Sequence, residues 1–378
     1  MVSASARALK ESIASFARAE LNPGAEERDR DQIFSRELWQ RCATQRLQGL
    51  VVPEEFGGRQ LDPLSAVLAL EGLGLGCHDG GLAFAVCAHL LACVVPIWKH
   101  GSPEMKRTYL PSLCDGTFIA ANAMSEPESG SDAFALTTRA EPEGTGFRIS
   151  GRKTFVSNAP VADLIVTYAA TSKDGSRETV TAFAIPRGTR GVSTGPRMEK
   201  MALRSCQMSE VIFDGALVPA EAVIGTVGAG AQIFAQSMDW ERVCLVAMHV
   251  GSMERILEET VAHARKRKAF GSSIGKFQAV SHRIADMKVR LEAARLLTYH
   301  AATTLETRHA SGLSASIAKL FVSESLLTSA TDAVRTLGGY GVLAGSGAER
   351  TLRDAVAGTL YSGTSDIQRN IIARWLGL

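Results

Sequence analysis

A chain of 378 residues is too long for one ordinary hydrophobic core and predicts two or three domains. Hydrophobic content of 46% and charged content of 21% describe a soluble globular protein, and a net charge of +2 gives no pull toward nucleic acid or membrane. The seven cysteines show no CxxC pair and no Cys/His metal spacing, so they read as free thiols in a reducing, cytoplasmic compartment, with no metal site.

At the N-terminus Leu9, Ile13 and Phe16 share one helical face, while Glu11 and Glu20 interrupt the basic residues Arg7, Lys10 and Arg18. A folded first helix is expected there rather than a transit peptide. Residues 1–118 read as an α-helical domain. Leu64 to Leu75 is apolar-periodic, and Leu82 to His100 is nearly all apolar, as a buried helix would be. No apolar run is expected to be long enough to cross a bilayer. Ser102-Pro103-Glu104 has the signature of a helix start.

Between 119 and 228 the period changes from 3.6 to 2. Phe147 to Ser150, Leu164 to Tyr168, Val180 to Ile185 and Val211 to Phe213 are short β-branched or aromatic runs. Turn signals separate them at Glu143-Gly144, Asp174-Gly175, Pro186-Arg187-Gly188 and Gly195-Pro196, which predicts a β-barrel-like domain. Residues 229–378 return to helical periodicity. Segments near 231–268, 277–309, 313–338 and 350–375, with turns at 271–275, Ser311-Gly312 and 338–347, predict a four-helix bundle. The fold class is therefore multidomain α+β.

One stretch of the first bundle helix stands out. Phe234, Met238, Glu241, Leu245 and Met248 fall at steps of four, three, four and three, which places all five on one face. Four are large and apolar, so Glu241 is a carboxylate in a stripe that faces a core. Lost hydration there raises its pKa and suits it to take a proton near neutrality. The competing reading is a buried Glu satisfied by a nearby Arg, with Arg242 and Arg255 as candidates.

Six stretches, in order, resemble the acyl-CoA dehydrogenase family over essentially the whole chain. They are Val52-Pro53-Glu54-Glu55-Phe56-Gly57-Gly58; Met124-Ser125-Glu126-Pro127 with Ser129-Gly130-Ser131-Asp132; Lys153-Thr154-Phe155-Val156-Ser157-Asn158; Arg267-Lys268-Ala269-Phe270-Gly271 with Phe277-Gln278; Leu337-Gly338-Gly339-Tyr340-Gly341; and Gly363-Thr364-Ser365-Asp366-Ile367-Gln368-Arg369. The resemblance implies bound FAD held without a Rossmann unit. Met124, Ser125, Phe155 and Ser157 would lie against the flavin ring, and Gly130 and Ser131 would approach the pyrophosphate. It further implies that Arg267, Phe270, Phe277, Gln278, Gly338 and Gly339 reach the flavin of a neighbouring subunit, in a homotetramer built as a dimer of dimers. Thr364 and Asp366 belong to the same cofactor set, and Arg335 stands where the family often has Gln near the adenine. Asp239 and Arg242 match the family's thioester-binding pair, with Ser131 also on the substrate side. Read bare, Arg265-Lys266-Arg267-Lys268 is a solvated basic face, and the near-zero net charge argues against nucleic acid.

Most family members carry the catalytic Glu immediately before the C-terminal Gly-Thr, where this chain has Ser362. The isovaleryl- and long-chain members instead place it on the bundle helix one residue before an Arg, as Glu241 precedes Arg242. The resemblance thus implies FAD-dependent α,β-dehydrogenation of an acyl thioester, with Glu241 as base and flavin N5 as hydride acceptor. Tyr361-Ser362-Gly363-Thr364-Ser365 is similar to the branch acting on carrier-protein-bound acyl or aminoacyl groups in secondary metabolism, such as prolyl-carrier-protein dehydrogenases, and free acyl-CoA stays open beside it. The electron acceptor would be an electron-transfer flavoprotein or oxygen. A flavin monooxygenase of the same fold and a non-catalytic FAD-containing binding protein are the alternatives.

Overall fold

The computed structural model describes residues 2–171, 179–305 and 311–378. The expected Asp174-Gly175 turn and the 306–309 end of the second bundle helix lie outside the described residues.

The N-terminal part holds α1 (Ala4–Phe16), α2 (Ala25–Asp31), α3 (Arg36–Thr44), α4 (Pro63–Gly76), α5 (Gly80–His89), α6 (Val95–His100) and α7 (Pro103–Cys114). Local chemistry explains their starts. Asp62 accepts the Ser65 N–H at 3.0 Å ahead of Pro63 in α4, and Ser102 accepts the Met105 N–H at 3.1 Å ahead of Pro103 in α7. Helical backbone is continuous from Gly80 to His100. Contrary to expectation, this run is long and apolar enough to cross a bilayer, but 89% of its apolar window is buried inside the protein. Its side chains serve the core instead.

The middle part is a mixed sheet of β1 (Ala120–Ala123), β2 (Arg139–Glu143), β3 (Gly146–Ser157), β4 (Leu164–Ala170), β5 (Val180–Pro186), β6 (Val192–Thr194), β7 (Met208–Pro219) and β8 (Val223–Ile224). Neighbours run β6-β7-β3-β2-β4-β5-β8, with β1 parallel to β4. Ile149, Ile165, Phe183, Val211 and Phe213 fill one core of this sheet. Along the β3–β7 pair the register slips between Lys153 and Val156. That bulge leaves Phe155 at φ 55°, a left-handed conformation that a bulky residue rarely adopts.

The C-terminal part has α8 (Gly230–Lys266), α9 (Gln278–Thr304) and α10 (Ser311–Leu337), then α11 (Ala348–Gly358) and α12 (Ser365–Trp375). The single helix expected over 350–375 is two helices. Ser362 (φ 56°) and Gly363 (φ 85°) are left-handed and cannot continue a right-handed helix. Ser311-Gly312 opens α10 instead of forming a turn. Helix α8 is also not simply one-faced: every residue from Val243 to Gly251 is buried, as in a helix central to its domain. It crosses α4 where both are glycine. A Cβ on Gly74 would stand 1.9 Å from the Met248 carbonyl oxygen, and one on Gly251 would stand 2.0 Å from that of Glu71.

Candidate functional site

A cleft of about 640 Å³ opens between the sheet and the α11–α12 turn. It is the size of an ordinary cofactor site. Six of the expected residues line it together: Ser125, Gly130, Ser131, Phe155, Ser157 and Thr364. Phe155 stands 65% exposed toward it, and strained, exposed aromatics of this kind mark functional sites. The loop carrying Gly130 is closed by paired backbone bonds between Glu126 and Ser129 (2.9 and 3.1 Å) and by Ser129 Oγ donating to the Asp132 carbonyl (2.7 Å). A Cβ on Gly130 would meet nothing within 4 Å, so the space above the loop is open to a ligand.

The cleft wall is braced from behind. Lys153, fully buried, donates to Glu126 Oε1 at 2.9 Å and to the Met124 carbonyl at 3.0 Å. Burial works to raise the Glu126 pKa, but the Lys153 charge and hydrogen bonds from Thr137 and Thr138 outweigh it and hold the carboxyl at about 2. Burial lowers Lys153 to about 8, with Glu126 opposing. Both are therefore charged at neutrality, and the pair ties β3 to the strand end that presents Ser125. Met124 itself is buried and acts here through its carbonyl rather than by lining the cleft.

Glu241 lies one side chain behind the cleft lining, 8% exposed on α8. Neither Arg satisfies it. Ser362, which lines the cleft, donates its hydroxyl to Glu241 Oε1 at 2.5 Å, and Oε2 is buried with no hydrogen-bond partner among the described residues. Burial raises the pKa of Glu241, against the Ser362 hydrogen bond and the charges of Arg242 and Lys319. Arg242 donates to the Ser362 carbonyl (3.3 Å) and to Asp239 Oδ1 (3.4 Å), so Asp239, Arg242 and the α11–α12 turn form one connected set. Arg255, fourteen residues further on, is about 21 Å along the helix and out of reach.

Other expected residues lie elsewhere. Asp366 is exposed and accepts from Arg369 at 2.9 Å. Arg267, Phe270, Phe277 and Gln278 are exposed around the α8–α9 turn, with Phe270 97% exposed and edge-on to Phe277 at 6.1 Å. Arg335, Gly338 and Gly339 are exposed at the end of α10. Arg267 is about 39 Å along α8 from Glu241, so the two groups do not form one site within a single chain.

Residues not anticipated also build the cleft. Phe84, Met201, Leu203 and Leu360 supply apolar wall, and Tyr361 joins them. The Tyr361 hydroxyl pairs with His249 Nε2 at 2.5 Å, and its ring packs on Phe84 at 4.8 Å. Only the tertiary fold brings Phe84, Met201 and Leu203 to the cleft, whereas Tyr361 already stands in the Tyr361-Ser362-Gly363 motif.

Comparison with known proteins gives the family. The acyl-CoA dehydrogenase models match in sequence order: the N-terminal domain over residues 3–117, the middle domain over 121–216 and the C-terminal domain over 228–377. The chain belongs to the acyl-CoA dehydrogenase family. Within that family it is 45% identical over 351 residues to an L-prolyl-[peptidyl-carrier protein] dehydrogenase of Pseudomonas fluorescens, covering 93% of this chain and 92% of the relative. A Serratia sp. protein of the same description is 42% identical over 368 residues, covering 97% and 95%. Among solved structures, PigA with FAD and proline superposes with a TM-score of 0.98 at 41% identity, over 100% of this chain and 99% of that one. The prolyl acyl carrier protein oxidase AnaB superposes with a TM-score of 0.98 at 39% identity over the full length of both.

Proposed function

We propose that this acyl-CoA dehydrogenase family member uses FAD to dehydrogenate the α,β bond of an acyl thioester, and that its acyl group is a prolyl-type aminoacyl group on a peptidyl carrier protein. The observation that carries the reading is the buried, half-partnered Glu241 directly behind the cleft, where Ser362 occupies the alternative base position without a carboxylate. The relatives described as prolyl carrier-protein enzymes support the substrate class.

The residues present fit FAD. The exposed Phe155 ring offers a stacking face, Ser125, Ser157 and Thr364 offer hydroxyls, and the open Gly130-Ser131 backbone offers N–H groups to a diphosphate. When bound, FAD supplies the hydride acceptor. Glu241 then accepts the proton from the carbon alpha to the thioester carbonyl, with Oε2 free to receive it while Ser362 fixes Oε1. Asp239 and Arg242 hold the thioester arm, and Arg242 steadies the turn through the Ser362 carbonyl. The exposed Arg267, Phe270, Phe277, Gln278, Gly338 and Gly339 serve a second copy of the chain in a tetramer, because they lie too far from this chain's own cleft. The seven free, buried cysteines accord with a reducing, cytoplasmic setting.

The test is anaerobic reduction of the purified flavoprotein by prolyl-carrier-protein thioester and by prolyl-CoA. Faster bleaching by the carrier-bound group supports the full reading. Equal rates with CoA remove the carrier assignment. An oxygenated product in air would point to the monooxygenase, and no bleaching by any thioester would leave a binding protein.

A further inference from the structure

We propose that Lys319 is a positioning residue for Glu241, the buried counter-charge that holds this carboxylate ionised between turnovers. The proposal rests on the reading of Glu241 as the base. Its starting point is an anomaly: Lys319 is 1% exposed on α10, and its Nζ has no hydrogen-bond partner among the described residues. A buried, unpaired ammonium is costly and normally finds a carboxylate or a carbonyl.

Two contacts set the register of α10 on α8. Near one end, a Cβ on Gly312 would be 3.8 Å from Asp239 Oδ1. Two turns past Lys319, Leu326 shares a small cavity with Met248, His249 and Ser252. The helices therefore run in the same direction, and Lys319, midway between Gly312 and Leu326, stands level with Cys244 and Leu245, about one turn past Glu241. Among the described residues each group has an unmet need: Glu241 Oε2 lacks a donor, and Lys319 Nζ lacks an acceptor.

The other charged groups nearby are already committed. Arg242 on α8 is engaged by Asp239 and the Ser362 carbonyl. His249 is pushed down to about 3 by burial and then by the Lys319 charge, so it is neutral. Burial raises the Cys87 and Cys93 thiols, the Tyr168 hydroxyl and the Tyr361 hydroxyl, which keeps all four neutral. On α10 itself, Glu324 bears on Lys319 more than Glu241 does, but it is partly exposed and also faces Arg369 of α12 at 3.8 Å. From α9, Arg290 pairs with Asp332, thirteen residues and about 20 Å beyond Lys319. From α11, Arg350 and Asp354 bear on Arg255. Lys319 is thus the buried cation near Glu241 that has no hydrogen-bond partner among the described residues. Burial lowers its own pKa to about 8, so it carries charge at neutral pH.

The experiment uses the FAD-loaded enzyme with Lys319→Met and Lys319→Arg. The rate of flavin reduction by thioester is followed against pH, and the Glu241 carboxyl stretch is read by infrared difference against Glu241→Gln. Removing a positive neighbour raises a carboxylate pKa. Lys319→Met should therefore move the acid midpoint and the infrared titration upward by about one unit, so that reduction just below the wild-type midpoint falls about tenfold. Lys319→Arg should keep the wild-type midpoint. A Lys319→Met protein with wild-type flavin content, melting temperature and midpoint overturns the proposal. If Lys319→Met does not fold, the ¹⁵Nζ resonance of Lys319 decides: it should titrate near 8 and shift downward in Glu241→Gln, and an unmoved titration overturns the proposal. Full activity of Glu241→Gln is a separate failure, that of the base assignment, and the two titrations read the charge coupling regardless.

Discussion

Replacing Glu241 with Gln tests the mechanism most directly, because the structure says what the change removes. The amide oxygen can still accept the Ser362 hydroxyl that now donates to Oε1 at 2.5 Å. What disappears is the capacity to take a proton. A positioned general base contributes about 10²–10⁴-fold, which corresponds to about 3–5 kcal/mol in the barrier. Stopped-flow bleaching of the flavin by a prolyl thioester, without oxygen, should slow by that factor.

Stability should move little, because two effects of the change have opposite signs. The folded-state pKa of Glu241 is raised, first by burial. Its stabilising contribution is therefore complete below its unfolded value and is lost as pH rises through the folded one. Gln is neutral throughout, so the variant escapes that loss. Against this, the new amide donor inherits the unpartnered Oε2 position at a cost of about 1–3 kcal/mol. The two effects oppose each other above the folded pKa, so flavin content and melting temperature should stay near wild type. Bleaching at the wild-type rate in a folded, FAD-loaded variant would show that Glu241 is only a buried structural acid.

Three further outcomes follow from the same geometry. The double variant Glu241→Gln, Ser362→Glu should recover part of the lost bleaching rate, since Ser362 lines the cleft and already touches position 241; no recovery would mean that the two positions do not serve one carbon. Phe270→Asp places a charge on a 97% exposed aromatic and should lower both the tetramer fraction in sedimentation and the FAD occupancy, while leaving monomer helicity intact. Asp354, which accepts the Leu203 N–H at 2.6 Å, is raised from its usual 3.8 to about 7 by burial. Its contribution to stability falls as pH rises between those values, so the melting temperature of wild type should drop from pH 5 to 7 more steeply than that of Asp354→Asn.

The legible parts of the chain were those where local chemistry and tertiary structure agree. The Ser102-Pro103 cap and the β-branched runs at 164–168 and 180–185 became α7, β4 and β5 because nothing competes with their local preference. The 350–375 segment misled because its apolar period carries through a break that two left-handed residues impose. β1, β2 and β6 escaped notice because Ala120–Ala123, Arg139–Glu143 and Val192–Thr194 are strands by pairing rather than by composition. The helical stripe isolates Glu241, but it points to the nearby Arg242 and Arg255 as partners, whereas Ser362 reaches it across 121 residues. Lys319 gave no signal at all, since a lysine in a helix reads as surface until its burial is known.

The proposed placement of the base on α8 agrees with what each candidate backbone can support. Position 362 sits in a turn at φ 56°, a conformation most side chains adopt only under constraint, between two short helices. Position 241 sits inside a 37-residue helix whose contact with α4 admits no Cβ at Gly74 or Gly251. A group on a locked helix holds its geometry better than one on a turn. With the carboxylate on α8, the turn carries small, adaptable groups: the Ser362 hydroxyl that donates to Glu241, and the Ser362 carbonyl that accepts from Arg242. The same turn brings Tyr361 and Thr364 to the cleft wall. Under the proposed mechanism the arrangement therefore separates two tasks that a glutamate at 362 would have to combine, with proton transfer on the rigid helix and shaping of the cleft on the turn.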